Sequence, residues 1–282
     1  MMLRIILNLF DRKMLKDLRM PFVASMFLNS LFPFLYALLF FYFKSPDSFF
    51  SSLNRYLLNP YAILSGMLSY WMAYVFCLGF RYMSVRSVVL SAKGADLIIP
   101  FVLCIVGKSL DLKGLIFSFC TVLSFIPVFY GTWKKQEPFH FSIIVAVILS
   151  LVGTAYLGAV SHFSHETIDH FICFFTVLSF WRLICGLLHL ICTTENKAPD
   201  HLKLPIKLLF ARGGIAFLSQ ITFIYVVTSG AKEAIYAWPI LNSGPLFATA
   251  VAHFAIHEKI SKEESFSFII FTFVVMGWIA SY

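Results

Sequence analysis

Long apolar stretches separated by short polar connectors dominate the pattern of this chain. Each stretch holds about 20 residues or more, which at 1.5 Å of rise per residue is enough for a helix to cross a bilayer. We predict nine such spans, at about 20–43, 60–82, 84–107, 112–131, 139–161, 167–193, 204–229, 231–255 and 262–282. The predicted fold class is therefore all-α, a polytopic membrane protein.

The composition agrees with this class. Of 282 residues, 60% are hydrophobic and 13% are charged, against about 45–50% apolar and 25% charged in a soluble domain. The net charge of +8 comes from Lys and Arg in the connectors, where they act as membrane-interface charges. We therefore expect the lipid bilayer as a partner and no nucleic acid. The six cysteines lie in or beside apolar spans without a CxxC motif, and are interpreted as small core residues.

A weak internal repeat divides the chain. Ser84 and Pro100 match Ser229 and Pro245 when the sequence is shifted by 145 residues. We predict two related halves, 1–135 with four helices and a short basic N-terminal segment, and 136–282 with five helices. Related halves of inverted topology are common in secondary transporters.

The helical pattern of each half also resembles a known family. Both halves contain an aromatic or small-residue helix ending in a turn, a Pro-centred helix, a charged turn and a final helix containing glycine. In the first half these are Tyr74 to Ser84, Pro100, Lys108 to Lys113 and Gly131. In the second they are Tyr225 to Ser229, Pro245, His257-Glu258-Lys259-Ile260-Ser261 and Gly277. The chain resembles the drug/metabolite transporter superfamily, EamA type, over residues 20–282.

Two departures from that family accompany the resemblance. The first span corresponds to the second helix of the family, so the first helix is expected to be absent or lost, with residues 1–10 as its remnant. The family places its C-terminus in the cytoplasm, whereas the excess of Lys and Arg in one set of connectors places the C-terminus outside. The orientation stays open between these two arguments.

Lys93 and Asp96 are the first candidate site residues, because both lie deep in the span 84–107. A charge at membrane depth costs roughly 3 kcal/mol or more and marks a functional site by default. Lys93 is the lead contact for an anionic substrate, and Asp96 could carry a coupling proton. The alternative is an internal pair, since positions i and i+3 share a helix face. A Lys at this point also resembles the nucleotide-sugar and sugar-phosphate branch of the superfamily.

Arg212 is the second candidate anion contact. It lies inside its span beside Gly213 and Gly214, which permit close approach of a ligand or backbone. The alternative is an Arg that extends to the nearer interface. Arg182 lies near the middle of its span and is interpreted as a structural pairing rather than a substrate contact.

Aromatic and polar side chains complete the predicted substrate site. Tyr70, Tyr236, Trp238 and Asn242 lie on helices that line the pathway in the family that the chain resembles. Pro239, with Pro245, should bend its helix and free backbone carbonyls that can line a cavity. The alternative for each aromatic residue is helix packing or interface anchoring.

No catalytic constellation is present in the sequence. Phosphate loops, nucleophile elbows and HExxH motifs do not occur, so we predict neither an enzyme nor a cofactor. The histidines and acids of the connector 162–170 are interpreted as a solvated loop rather than a metal site.

The sequence therefore predicts a secondary transporter in a bacterial inner membrane. It would move a small polar metabolite, anionic or zwitterionic, by alternating access, with the substrate near the midplane between the halves. A homodimer is left open. The alternatives are a structural or assembly membrane protein and, less favoured, a membrane-embedded enzyme that would depend on the connector 162–170.

Overall fold

The computed structural model describes residues 22–44, 53–54, 56–83, 85–107, 111–135, 140–161, 168–193, 206–228, 231–241, 243 and 261–280. These residues form ten helices of nine residues or more and no strand. The helices are α1 (Phe22–Lys44), α2 (Pro60–Tyr82), α3 (Val85–Val106), α4 (Leu112–Leu123), α5 (Ile126–Lys134), α6 (Phe141–Ser161), α7 (Ile168–Cys192), α8 (Ile206–Thr228), α9 (Ala231–Leu241) and α10 (Lys262–Ala280).

Six segments of the described chain are long and apolar enough to cross a membrane. They are Phe22–Lys44, Pro60–Gly79, Leu112–Lys134, Phe141–Val160, Phe171–Cys192 and Lys262–Ala280. The predicted class, a helical integral membrane protein, is thus confirmed, whereas nine spans and an inverted repeat stay predictions. Helices α3 and α8 have 22 and 23 residues but are not among the six, and both carry buried charges, Lys93 with Asp96 and Arg212.

Local side-chain chemistry fixes where several helices begin. Asn59 caps α2, because its Oδ1 accepts from the amides of Tyr61 and Ala62 at 2.9 and 3.3 Å, and Pro60 follows at the first helical position, where no amide is needed. Asp111 caps α4 by accepting from the Gly114 amide at 3.0 Å. These bonds satisfy backbone groups that a helix end otherwise leaves unpaired.

A capping box begins α10. The Ser261 amide donates to Glu264 Oε2 at 2.9 Å, and the Glu264 amide donates back to Ser261 Oγ at 3.2 Å. The pattern Ser-Lys-Glu-Glu is the short sequence that this reciprocal arrangement requires. Ser261 is also the last residue of the charged turn in the second half, whose other residues lie outside the described chain.

The predicted span 112–131 contains a break. Its two helices, α4 and α5, are separated at Ser124 and Phe125, and Pro127 occupies the first turn of α5. Proline has no amide to continue the helical bonds, so the helix restarts instead of passing through. The break turns Phe125 inward, where its side chain is 2% exposed.

The described chain divides into two compact units that interleave along the sequence. Unit 1 contains residues 74–160 and 230–282, and unit 2 contains residues 2–73 and 161–229. Each unit therefore draws on both of the predicted halves, 1–135 and 136–282, whose repeat relationship stays a prediction.

Unit 2 is built by aromatic contacts and close glycine approaches. Helix α1 packs on α7 and α8, with Phe32 and Phe210 at 4.9 Å between ring centroids and the Tyr36 hydroxyl donating to the Phe210 carbonyl at 3.2 Å. Trp181 of α7 donates its indole N–H to the Leu57 carbonyl at 2.9 Å. Its neighbour across the helix interface is Gly66 of α2.

Gly66→Ala should destabilise the protein by about 1–3 kcal/mol, the usual cost of overpacking. A Cβ at Gly66 would lie 2.6 Å from the Leu178 carbonyl oxygen and 2.7 Å from Trp181 Cβ, so α2 and α7 would have to separate. Thermal unfolding in detergent measures the effect. Gly277→Ala is the matched control, because a Cβ there has no neighbour within 4 Å. Equal melting temperatures for the two variants would contradict the described packing.

Candidate functional site

Lys93 and Asp96 lie together on the inward face of α3. Their side chains are 2% and 0% exposed, and the same face carries Ile99 and Leu103, both fully buried. Leu97 and Phe101 on the other face are exposed. The helical period of 3.6 residues therefore places the ion pair in the interior of unit 1, with apolar side chains directed outward.

All three donors of the Lys93 ammonium are used within the protein. Nζ donates to Asp96 Oδ2 at 2.8 Å, to the Pro239 carbonyl at 2.8 Å and to Ser243 Oγ at 2.7 Å. A lysine ammonium has three N–H donors and no acceptor. The side chain thus has a complete set of hydrogen bonds without any ligand.

The end of α9 supplies two of these three acceptors. Pro239 lies two residues before Leu241, the last residue of α9. Ser243 lies just beyond the helix and donates its hydroxyl to the Pro239 carbonyl at 2.6 Å. Carbonyls at a helix C-terminus carry partial negative charge, which stabilises a nearby cation. The C-terminal end of α9 therefore stabilises the ammonium.

Two aromatic rings cover the same ammonium. The Phe125 and Phe271 ring centroids lie 4.7 and 5.6 Å from Nζ, within the range of cation–π attraction. The rings also contact each other edge to face at 6.1 Å. Phe125 comes from the break between α4 and α5, and Phe271 from α10, so these two elements and the end of α9 meet α3 at this cation.

Pro100 weakens the backbone hydrogen bonding of α3 next to Asp96. It lies inside α3, four residues after Asp96, and cannot donate to the Asp96 carbonyl as an ordinary residue would. The helix is locally weaker at the position of the acid. We infer that α3 can deform here at lower cost than elsewhere along its length.

Tyr236 and Trp238, predicted as substrate contacts, lie on α9 in unit 1. The Tyr236 hydroxyl donates to Asp111 Oδ2 at 2.6 Å, and its ring lies 5.4 Å from that of Trp278. Trp238 is fully buried. Asn242, predicted on the same stretch, lies outside the described residues.

The other predicted contacts belong to unit 2. Arg212 is 4% exposed on α8, beside Gly213, where a Cβ would meet the Phe32 side chain. Arg182 is 6% exposed on α7. Tyr70 on α2 is hydrogen-bonded to His189 Nδ1 at 2.5 Å. The structure thus brings Lys93 and Asp96 together, and it assigns Arg212 and Tyr70 to the other compact unit.

Of the four described residues that contact Lys93 from other elements, only one could be predicted from the sequence. Pro239 was recognisable as a source of free carbonyls, because proline interrupts helical bonding. Ser243, Phe125 and Phe271 were not, since each reaches Lys93 through packing between distant segments. The Asp111 bond to Tyr236 joins residues 125 apart in sequence and gave no local signal.

The described residues contain no group of three or more His, Cys, Asp or Glu side chains that could hold a metal ion. All six cysteines are free thiols. Cys77 and Cys173 are buried, as the interpretation as core residues predicted, whereas Cys192 is exposed. The connector residues 162–167 lie outside the described chain.

No family model matches this chain, and none of the curated proteins compared with it matches. The resemblance to the EamA-type drug/metabolite transporters therefore rests on the sequence motifs alone.

Lys93→Met should destabilise the protein by about 3–5 kcal/mol, because Asp96 would remain buried without its countercharge. The double variant Lys93→Met with Asp96→Asn should recover much of that loss, since it leaves no charge in the pocket. Thermal or denaturant unfolding in detergent measures both. If the double variant were as unstable as Lys93→Met, the lost hydrogen bonds to Pro239 and Ser243, rather than the unpaired charge, would dominate.

Proposed function

We propose that this protein is a secondary membrane carrier that moves a small polar metabolite, anionic or zwitterionic, by alternating access. The observation that carries the proposal is the buried Lys93–Asp96 pair at 2.8 Å in a chain of apolar helices. Intramembrane ion pairs are costly, and they mark substrate and ion pathways in many membrane proteins.

The interrupted helices support the same function. Near the end of α9 the Pro239 carbonyl accepts from Lys93, and the α4–α5 break brings Phe125 to the same cation. Carriers commonly place the ends of discontinuous helices at their substrate and ion sites. Pro100 adds a weak point in α3 beside the acid.

In carriers built from related halves, largely rigid parts of the chain move and the substrate site opens to each side in turn. Membership of the EamA-type drug/metabolite superfamily and residence in a bacterial inner membrane are parts of the proposal that rest on sequence motifs and composition.

An assembly or structural membrane protein is the second candidate. It is favoured by one observation, the complete set of internal hydrogen bonds at Lys93, which would serve to hold α3 to the end of α9. Under this alternative the pair stabilises the fold and no solute crosses the membrane.

Uptake into proteoliposomes tests the proposal. Labelled gluconate, glutamate, glycerol 3-phosphate, alanine, mannitol and choline form a panel sorted by charge. We expect an anionic or zwitterionic member to enter faster than into protein-free vesicles, and Lys93→Ala to reduce that uptake about tenfold or more, which corresponds to about 1.4 kcal/mol.

Glu264→Gln is the matched control for this assay. It neutralises another buried carboxylate of unit 1, yet its amide oxygen can still accept from Ser261. This variant should transport as the wild type does. If folded wild-type protein moves no member of the panel, the carrier proposal fails and the assembly alternative is favoured.

A further inference from the structure

The hydrogen-bond set of Lys93 limits how an anion can bind there. The ammonium already donates to a carboxylate, a carbonyl and a hydroxyl, so an incoming acceptor must replace one of the three. Replacing Pro239 or Ser243 would leave two anions beside a single buried cation. Like charges in a desolvated site strongly disfavour ionisation of both groups.

Protonation of Asp96 removes this conflict. The pocket contains one positive and one negative charge in its present form. When Asp96 carries a proton, a monoanion can take its place beside Nζ and the total charge stays at zero. Keeping the buried charge balanced in both forms avoids the cost of an unpaired ion, several kcal/mol in real proteins.

We propose that Lys93 and Asp96 form a proton-coupled binding site for a carboxylate monoanion, with one proton carried per anion. This inference rests on the proposed carrier function. Asp96 Oδ2 accepts a proton and gives up its bond to Nζ. A substrate carboxylate oxygen then accepts from Nζ, and anion and proton leave together when the site opens to the other side.

The chemistry of the displaced group selects the ligand class. Asp96 presents one carboxylate oxygen to Nζ at 2.8 Å, and a substrate carboxylate reproduces that acceptor and its single charge. A dianionic phosphate monoester would leave an excess negative charge beside Phe125 and Phe271. A neutral polyol would leave the ammonium without a countercharge once Asp96 is protonated.

Among the described residues, the groups from other elements that contact Nζ are uncharged, namely the Pro239 carbonyl, the Ser243 hydroxyl and the two phenyl rings. The exposed cations described on the helices around α3 are Arg81, Lys113, Lys134 and Lys262. Among the acids whose side chains are described on those helices, Asp111 is bound to Tyr236, Glu264 is bound to Ser261 and Glu263 packs on Gly131. The helices around α3 also carry Tyr74, Cys77 and Cys120, and α3 itself carries Cys104. Among these described groups, Asp96 is the acid bonded to Lys93.

A pH gradient across proteoliposomes tests the coupling. With labelled gluconate as the probe and the membrane potential clamped at zero, an exterior one pH unit more acidic than the interior should drive about tenfold accumulation at one proton per anion. A pH-sensitive dye trapped inside should report acidification of the interior that matches the gluconate entering. Glutamate, a net monoanion that also carries an ammonium group, and glycerol 3-phosphate serve as the carboxylate and phosphate comparisons.

Asp96→Asn separates exchange from coupling. The amide mimics a permanently neutral acid, so counterflow of labelled against unlabelled gluconate should persist while gradient-driven accumulation disappears. Asp96→Glu retains a carboxylate and should retain accumulation, and Glu264→Gln should match the wild type in both assays. Size-exclusion chromatography and thermal unfolding establish that each variant is folded.

The possible results test three claims separately, namely the proton coupling, the ligand class and the carrier function. Wild-type counterflow without a response to the pH gradient would leave the carrier function intact and overturn the coupling, as would full accumulation by Asp96→Asn. Entry of glycerol 3-phosphate in preference to either carboxylate would overturn the ligand class. If Asp96→Asn does not fold, the ratio of protons to gluconate in the wild type decides alone, and a ratio of zero overturns the inference. Absence of all transport by folded wild-type protein overturns the carrier function itself.

Discussion

The Lys93 ammonium must find all of its hydrogen bonds inside the protein, because its side chain is 2% exposed. A buried cation without partners costs far more than any single contact in the fold contributes. Three acceptors from separate positions and two aromatic rings meet this requirement. Residues of α3, of the end of α9, of α10 and of the α4–α5 break all contact one atom of unit 1, Nζ of Lys93.

This requirement gives a physical reason for the end of α9 and for the break between α4 and α5. An uninterrupted helix uses its carbonyls internally and has few to offer a cation. Helix α9 ends two residues after Pro239, at Leu241, and the Pro239 carbonyl accepts from Lys93. The break before Pro127 similarly turns the Phe125 ring inward. At the end of α9 the ammonium bonds a backbone carbonyl, whereas at the break it contacts the Phe125 ring.

The sequence could predict the features that depend on local spacing. Apolar length predicted a helical membrane protein, and the three-residue separation of Lys93 and Asp96 predicted that they could pair on one helix face. Pro239 was likewise recognisable as a source of free carbonyls. The partners Ser243, Phe125 and Phe271 could not be predicted, because their contacts depend on how distant helices pack. For the same reason the sequence did not indicate that Tyr236 binds Asp111, or that Tyr70 binds His189.

The central claim is that an anion binds Lys93 only when Asp96 takes up a proton. Infrared difference spectroscopy on reconstituted protein observes this directly, since a protonated carboxyl group has a C=O stretch that a carboxylate lacks. Addition of gluconate to the wild type should produce this band, and the band should be missing in Asp96→Asn. Gluconate binding without a protonated-carboxyl band would contradict the account.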